Sequence, residues 1–207
     1  MSLSGEFQVQ GGQALAGLQA LAEDVNRSGG VKVGHSDAGR PVSVIYYDDA
    51  SKTAQAGQTT ERLITSDRVD LLFGPYSGVL ALAAAQVAEA HCRLLWNQGG
   101  AADMIYEKGF NWVVGILTPA SRYLEEWLPS VRDADSNAGS LAILRASTGT
   151  FPKSVTSGVE SQAAQLGFKI KLLREFDAAI DDFSDLLDRV EQARPDLLLG
   201  VGRIQND

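Results

Sequence analysis

Two short segments carry the residue types from which a site for a small anion is assembled. The first, Gly74-Pro75-Tyr76-Ser77-Gly78, follows the apolar run Val69 to Phe73 and leads into an apolar helical pattern, Gly78 to Ala90. A serine hydroxyl at a helix start, with free N–H groups at Ser77 and Gly78 and the positive end of the helix dipole, suits a carboxylate. The same hydroxyl equally suits capping of its own helix, and local pattern does not separate the two. The second segment, Asn97-Gln98-Gly99-Gly100-Ala101-Ala102-Asp103, follows the run Leu94 to Trp96. Its small residues let a ligand approach the backbone closely, while the plainer reading is a glycine turn with Asp103 as a helix cap. In open α/β sheets ligands bind beyond the carboxyl ends of the strands, so two such loops from successive strands should lie side by side.

Other chemistries find less support. Asp48-Asp49 ends the run Val42 to Tyr47 and resembles a magnesium or phospho-acceptor pair, but no lysine stands at a matching strand end. Capping of a helix that begins near Ser51 is the simpler role. Asp177, Asp181, Asp182, Asp185 and Asp188 read as helix N-terminal charge favoured by the dipole. Gly200-Val201-Gly202 opens like a dinucleotide fingerprint, but no Gly or Ala follows at the third position. His35 and His91 are the two histidines and lie far apart in sequence, which supports neither a metal cluster nor a catalytic triad. Cys92, the single cysteine, reads as a packed apolar residue, and Trp96, Trp112 and Trp127 as core. No nucleophile elbow or P-loop is present. The expectation is a protein without catalytic residues, metal or cofactor.

The elements that must position the two loops follow from periodicity. Strands are expected at Val42 to Tyr47, Val69 to Phe73, Arg93 to Trp96, Trp112 to Ile116, Leu141 to Arg145, Lys169 to Phe176 and Asp196 to Val201. Several are apolar on both faces, as parallel strands covered by helices are. Helices are expected over a stripe from Leu15 to Val25, stopped by Gly29-Gly30, and over Thr53 to Ser66, Gly78 to Ala90, Ala120 to Arg132, Pro152 to Leu166 and Phe183 to Ala193. Alternating βα units imply an α/β fold of two doubly wound parallel-sheet lobes, residues 1–118 and 119–207, joined by a turn near 117–121. The order begins with a helix that no strand precedes and stops just after a strand. The expectation is a unit cut at both ends, with its first strand missing. A net charge of −8 without a Lys/Arg cluster argues against a nucleic-acid or anionic-membrane partner. No apolar run is long enough to span a bilayer, and Met1-Ser2-Leu3 leads directly into Ser4-Gly5 without a signal-peptide pattern.

These stretches, in order, resemble the type I periplasmic binding proteins of the Leu/Ile/Val-binding kind, the receptors of branched-chain amino-acid ABC transporters. The resemblance rests on Ser4-Gly5 through Gly11, Leu18 through Asn26 with Gly29-Gly30-Val31, Tyr46 to Ala50, Leu72 to Gly78, Tyr106 to Phe110, and Asp182-Phe183-Ser184. It implies a two-lobed clamp that captures a small amino-acid-like ligand, outside the cytoplasm, for delivery to a membrane permease and its ATPase. It assigns the carboxylate-binding serine to Ser77, with Tyr76 and Gly78 beside it. Contacts to carboxylate and ammonium fall on Gly99, Gly100 and Ala101, the last where relatives carry a threonine. An early aromatic or polar position falls on Gln10 and a second-lobe aromatic cover on Phe151, while the acidic partner of the ammonium lies beyond Asp207. Two other readings stay open. One is a ligand-sensing domain of a signalling receptor, decided by a transmembrane span and a kinase or cyclase module in the same gene. The other is an enzyme on a flavodoxin- or Rossmann-like fold, for which no fingerprint is found.

Overall fold

The computed structural model describes residues 1–34, 38–177 and 179–202. His35 and the third position of the fingerprint lie outside the described residues. The chain divides into two compact units: Met1–Gly100 with Lys108–Leu117, and Ala101–Glu107 with Thr118–Asp207. This differs from a single cut after residue 118 by the segment 101–107 and by Thr118. That segment is tied into the second unit, where the Ala120 N–H donates to the Ala101 carbonyl at 2.7 Å and Ser121 Oγ donates to Asp103 at 2.6 Å.

In the first unit, α1 (Gln8–Arg27) precedes a short antiparallel pair, β1 (Val31–Lys32) and β2 (Gly39–Arg40). There follow α2 (Thr53–Thr65), β3 (Leu72–Phe73), α3 (Gly78–Ala90), β4 (Leu95–Asn97) and β5 (Val113–Gly115). The parallel sheet has the order β3-β4-β5, with Leu72, Leu95 and Val113 in one register row. That row packs on Ile64 of α2 and on Ala84, Ala85 and Ala88 of α3. Alanines at i and i+3/i+4 spacing let α3 lie close to the sheet. On the opposite face Leu71, Trp112, Val114 and Ile116 are 59%, 40%, 37% and 54% exposed.

Four expectations for this unit are corrected. Residues 42–47 belong to no strand ladder among the described residues; Val42 is held by the Asn26 side chain, and the Tyr47 carbonyl accepts from the Met1 amino group at 3.0 Å. Asp48 and Asp49 do not cap α2, whose preceding residue is Lys52 without a side-chain cap. They hold the chain start: Asp48 accepts from Leu3 N–H, Ser4 N–H and Ser4 Oγ, and Asp49 from Ser2 Oγ at 2.6 Å. Cys92 is exposed rather than packed, at positive φ in the turn that follows α3, and Trp112, just before β5, is exposed rather than core.

The second unit contains α4 (Trp127–Ala134), β6 (Ser140–Ala146), α5 (Phe151–Leu166), β7 (Lys169–Phe176), α6 (Ser184–Ala193) and β8 (Leu197–Val201). Its parallel sheet has the order β7-β6-β8. Along β6, Leu141 and Ile143 face a cluster with Leu128, Val159 and Ala163, while Ala142, Leu144 and Ala146 face Phe176 and Val190. The helix expected from Ala120 is a 3-10 turn, Ala120–Arg122, and α4 starts at Trp127. Pro129 accounts for this: it fits the first turn of a helix, where its missing N–H costs nothing, but not an interior.

Candidate ligand-binding site

Both candidate loops belong to the first unit as far as Gly100, and its sheet sets them side by side. Pairing of β3 with β4 continues past the strand ends, where the Gly74 N–H donates to the Trp96 carbonyl at 2.8 Å and the Ser77 N–H to the Gly99 carbonyl at 2.9 Å. The Gln98 side chain adds a third stitch, donating from Nε2 to the Gly74 carbonyl at 2.8 Å. Gly99 permits the approach: a Cβ there would stand 2.7 Å from both the Pro75 carbonyl oxygen and the Tyr76 Cα. Tyr76, Ser77, Gly78, Gly99 and Gly100 are thus brought together.

Ser77 has φ 80° and ψ 145°, backbone territory that glycine enters far more readily than serine. Its hydroxyl caps α3 through a long bond, accepting from the Leu80 N–H at 3.5 Å, and its carbonyl accepts from the Ala81 N–H at 2.9 Å. The cap reading therefore holds, but the hydroxyl proton is left for another acceptor. The Ser77 N–H, expected free, is taken by Gly99. The first N–H groups of α3, Gly78 and Val79, have no intrahelical acceptor, and the first turn of α3 holds no acidic side chain. Donors at the positive end of a helix without a resident carboxylate can accommodate an anion.

The remaining predicted positions are more scattered. Gln10 lies on α1, three residues after Phe7, whose ring meets Tyr76 edge-on at 5.6 Å between centroids. Helical spacing puts Gln10 on the face that carries Phe7, and its Oε1 is shielded from solvent without a hydrogen-bond partner among the described residues. Ala101 is buried and Phe151 opens α5, its ring edge-on to Tyr123 at 5.4 Å; both belong to the second unit. Asp103, next along the chain, accepts from Ser121 Oγ at 2.6 Å and the Ser121 N–H at 3.2 Å. Burial works against its charge, but donation from the Ser121 and Ser154 side chains and the Ser121 N–H outweighs this and holds the carboxyl below its ordinary range.

Sequence reasoning missed Asn97. Its side chain is fully buried and spans the turn, donating from Nδ2 to the Gly100 carbonyl at 2.7 Å and accepting the Gly100 N–H on Oδ1 at 2.9 Å. A polar amide at the end of an apolar strand, just before two glycines, was the available signal. Among the described residues no group of three or more His, Cys, Asp or Glu side chains is placed to hold a metal ion, and no helix is long and apolar enough to cross a membrane.

Comparison with known proteins gives this arrangement its class. The family described as "Periplasmic binding protein" matches residues 1–206, and the chain belongs to that family. The curated relatives it matches are Leu/Ile/Val-binding protein homologs. The Leu/Ile/Val-binding protein homolog 7 of Brucella melitensis is 25% identical over 95% of this chain and 49% of its own length, so the chain spans about half of that curated relative. Among solved structures, the branched-chain amino acid transporter substrate-binding protein LivJ from Streptococcus pneumoniae, in complex with isoleucine, matches with a TM-score of 0.75. It is 20% identical over 96% of this chain and 54% of its own. A solute-binding protein of an ABC transporter from R. palustris, in complex with 4-hydroxybenzoate, matches with a TM-score of 0.74, 20% identity and coverage of 96% and 51%. These likenesses bear out the type I binding-protein fold expected from the sequence.

Proposed function

We propose that this chain is the ligand-gripping part of an extracytoplasmic solute receptor that serves an ABC importer. The ligand would be a small carboxylate, an amino acid or an aromatic acid, held by its anionic end at the start of α3. The observation that carries this reading is Ser77: a strained backbone at a helix N-terminus, stitched to a glycine loop, with no acidic side chain in the first turn of the helix. Strain of this kind persists where the surroundings over-determine it, and it clusters at ligand clamps. Gln10, with its unpaired amide oxygen, supplies an acceptor for a hydroxyl or N–H donor on the ligand. The family resemblance assigns an aromatic cover to Phe151 and a glycine-loop contact to Ala101, with a permease and ATPase as downstream partners. The family's known members supply the context: one solved relative holds isoleucine and another holds 4-hydroxybenzoate.

A charge-assisted bond from Ser77 Oγ contributes about 1–3 kcal/mol, so Ser77→Ala should weaken binding roughly 5- to 150-fold. The test is thermal-shift screening of the full-length protein with amino acids, amides and aromatic acids, then calorimetry of Ser77→Ala and Ser77→Gly with the best hit. Ser77→Gly should bind as weakly as Ser77→Ala yet melt higher than it, because glycine relieves the positive φ. Unchanged affinity in both variants would remove Ser77 from the site.

A further inference from the structure

We infer that Asn97 is a positioning residue that sets the glycine loop in its ligand-ready shape before any ligand arrives. The inference rests on the reading of Ser77, Gly99 and Gly100 as part of a binding site. Asn97 is fully buried and so does not itself touch a ligand. Its amide closes the turn from both sides at once, one atom on the Gly100 carbonyl and the other on the Gly100 N–H. Its own carbonyl accepts from the Ile116 N–H at 3.2 Å, which fixes the clip to β5. With Gly100 locked, the Gly99 carbonyl faces the Ser77 N–H at 2.9 Å, so the orientation of the Asn97 amide passes through the loop to the start of α3. Two glycines in succession are otherwise the most mobile backbone a loop can have. Their ordering has to be supplied by a side chain, or else taken from the ligand's binding free energy.

Asn97→Asp tests this without removing bulk. A neutral carboxylic acid reproduces both bonds, its O–H donating to the Gly100 carbonyl and its other oxygen accepting the N–H. The ionised form sets a negative charge against that carbonyl. The bonded segments 74–78, 98–101 and 113–116 carry no charged side chain, and Tyr76 is their one titratable group. The substitution therefore adds an ionisable carboxyl where these segments carry no charge.

The measurement is calorimetry on the full-length protein across that pH range. The probe is isoleucine or 4-hydroxybenzoate, whichever the unaltered protein binds more tightly. The unaltered protein should keep its affinity within about twofold, whereas Asn97→Asp should be weaker by about 10-fold or more at pH 8 and recover to within about threefold at pH 5. In ligand-free protein the Gly100 amide should exchange slowly, and in Asn97→Asp it should lose protection as pH rises. A variant whose affinity profile is as flat as that of the unaltered protein, although its melting temperature falls, overturns the positioning role and leaves the site standing. If the unaltered protein binds neither probe, the positioning role and the parent reading fall together.

Discussion

The two sheets of this protein are built to different ends. In the second unit β6 is seven residues long, all but Arg145 are buried, and clusters cover both of its faces. In the first unit the parallel strands are two or three residues long, and helices cover one face, with Leu71 and Ile116 more than half exposed on the other. What the first sheet lacks in ladder it places beyond the strand ends, in the Gly74–Trp96, Ser77–Gly99 and Ile116–Asn97 backbone bonds. The second sheet uses its backbone groups for cohesion, the first uses them to shape loops. This contrast explains why the candidate anion cradle belongs to the unit with the thinner sheet.

The largest test of the contrast sets two isoleucines against each other. Ile143→Ala in β6 deletes a side chain that is fully buried between α4 and α5, and should cost about 2–5 kcal/mol. Ile116→Ala, in the first unit and 54% exposed, should change stability by less than about 0.5 kcal/mol. Urea titration followed by amide exchange in each unit separates the two. Equal losses would mean that the outer face of the first sheet is covered in solution.

A pair of glycines tests the loops at a smaller scale. Gly99→Ala drives a methyl group into backbone at Pro75 and Tyr76, which cannot swing aside as a side chain can. It should destabilise the first unit by about 1–3 kcal/mol and weaken ligand binding as well. Gly17, within α1, has nothing within 4 Å of the position a Cβ would take. Gly17→Ala should therefore stabilise the protein by about 0.5–1 kcal/mol with unchanged ligand affinity. Melting curves and calorimetry of both variants check the pair.

Much of this was legible in the sequence, and unevenly so. Where periodicity and chain chemistry agree, bounds come out to the residue, as in α3 (Gly78–Ala90) and β7 (Lys169–Phe176). The stretch from Ala120 defeated periodicity, because apolar spacing ran straight through Pro129 while the proline's ring forced a fresh helix start at Trp127. Residues 42–47 form an apolar, β-branched run typical of a strand, but a ladder requires a neighbour, which no local pattern supplies. The two loops were visible from their glycines and Ser77, since small residues after apolar runs advertise a turn. Their stitching was not, because Gln98 reaches Gly74 across 24 positions of chain and Asn97 works through a buried amide. Hydrogen-bond partners are a property of the fold, whereas turn formers are a property of the segment.

The smallest predicted effect sharpens the contrast at the chain start. Asp48 receives the Ser4 hydroxyl at 2.6 Å, the Ala50 N–H at 2.8 Å and the Leu3 N–H at 2.9 Å. The Ser4 hydroxyl leads the effects that lower its carboxyl from 3.8 to about 2, against the opposing effect of burial. A carboxyl whose folded pKa lies below its unfolded one contributes its stability in full above the unfolded value, and loses it as pH falls through the folded value. For Asp48 that window runs from about pH 4 down to about pH 2. The second unit has its own depressed carboxyl, Asp196, held by the Gly139 N–H and the Ser140 hydroxyl between β6 and the start of β8. Asp48→Asn should make the first unit less stable at neutral pH and flatten its acid dependence in that window, leaving the acid dependence of the second unit untouched. Amide exchange of α2 and β6, compared at pH 5 and pH 3, reads the two units separately. If β6 lost its acid dependence together with α2, the two units would be unfolding as one, and the difference between their sheets would carry no thermodynamic weight.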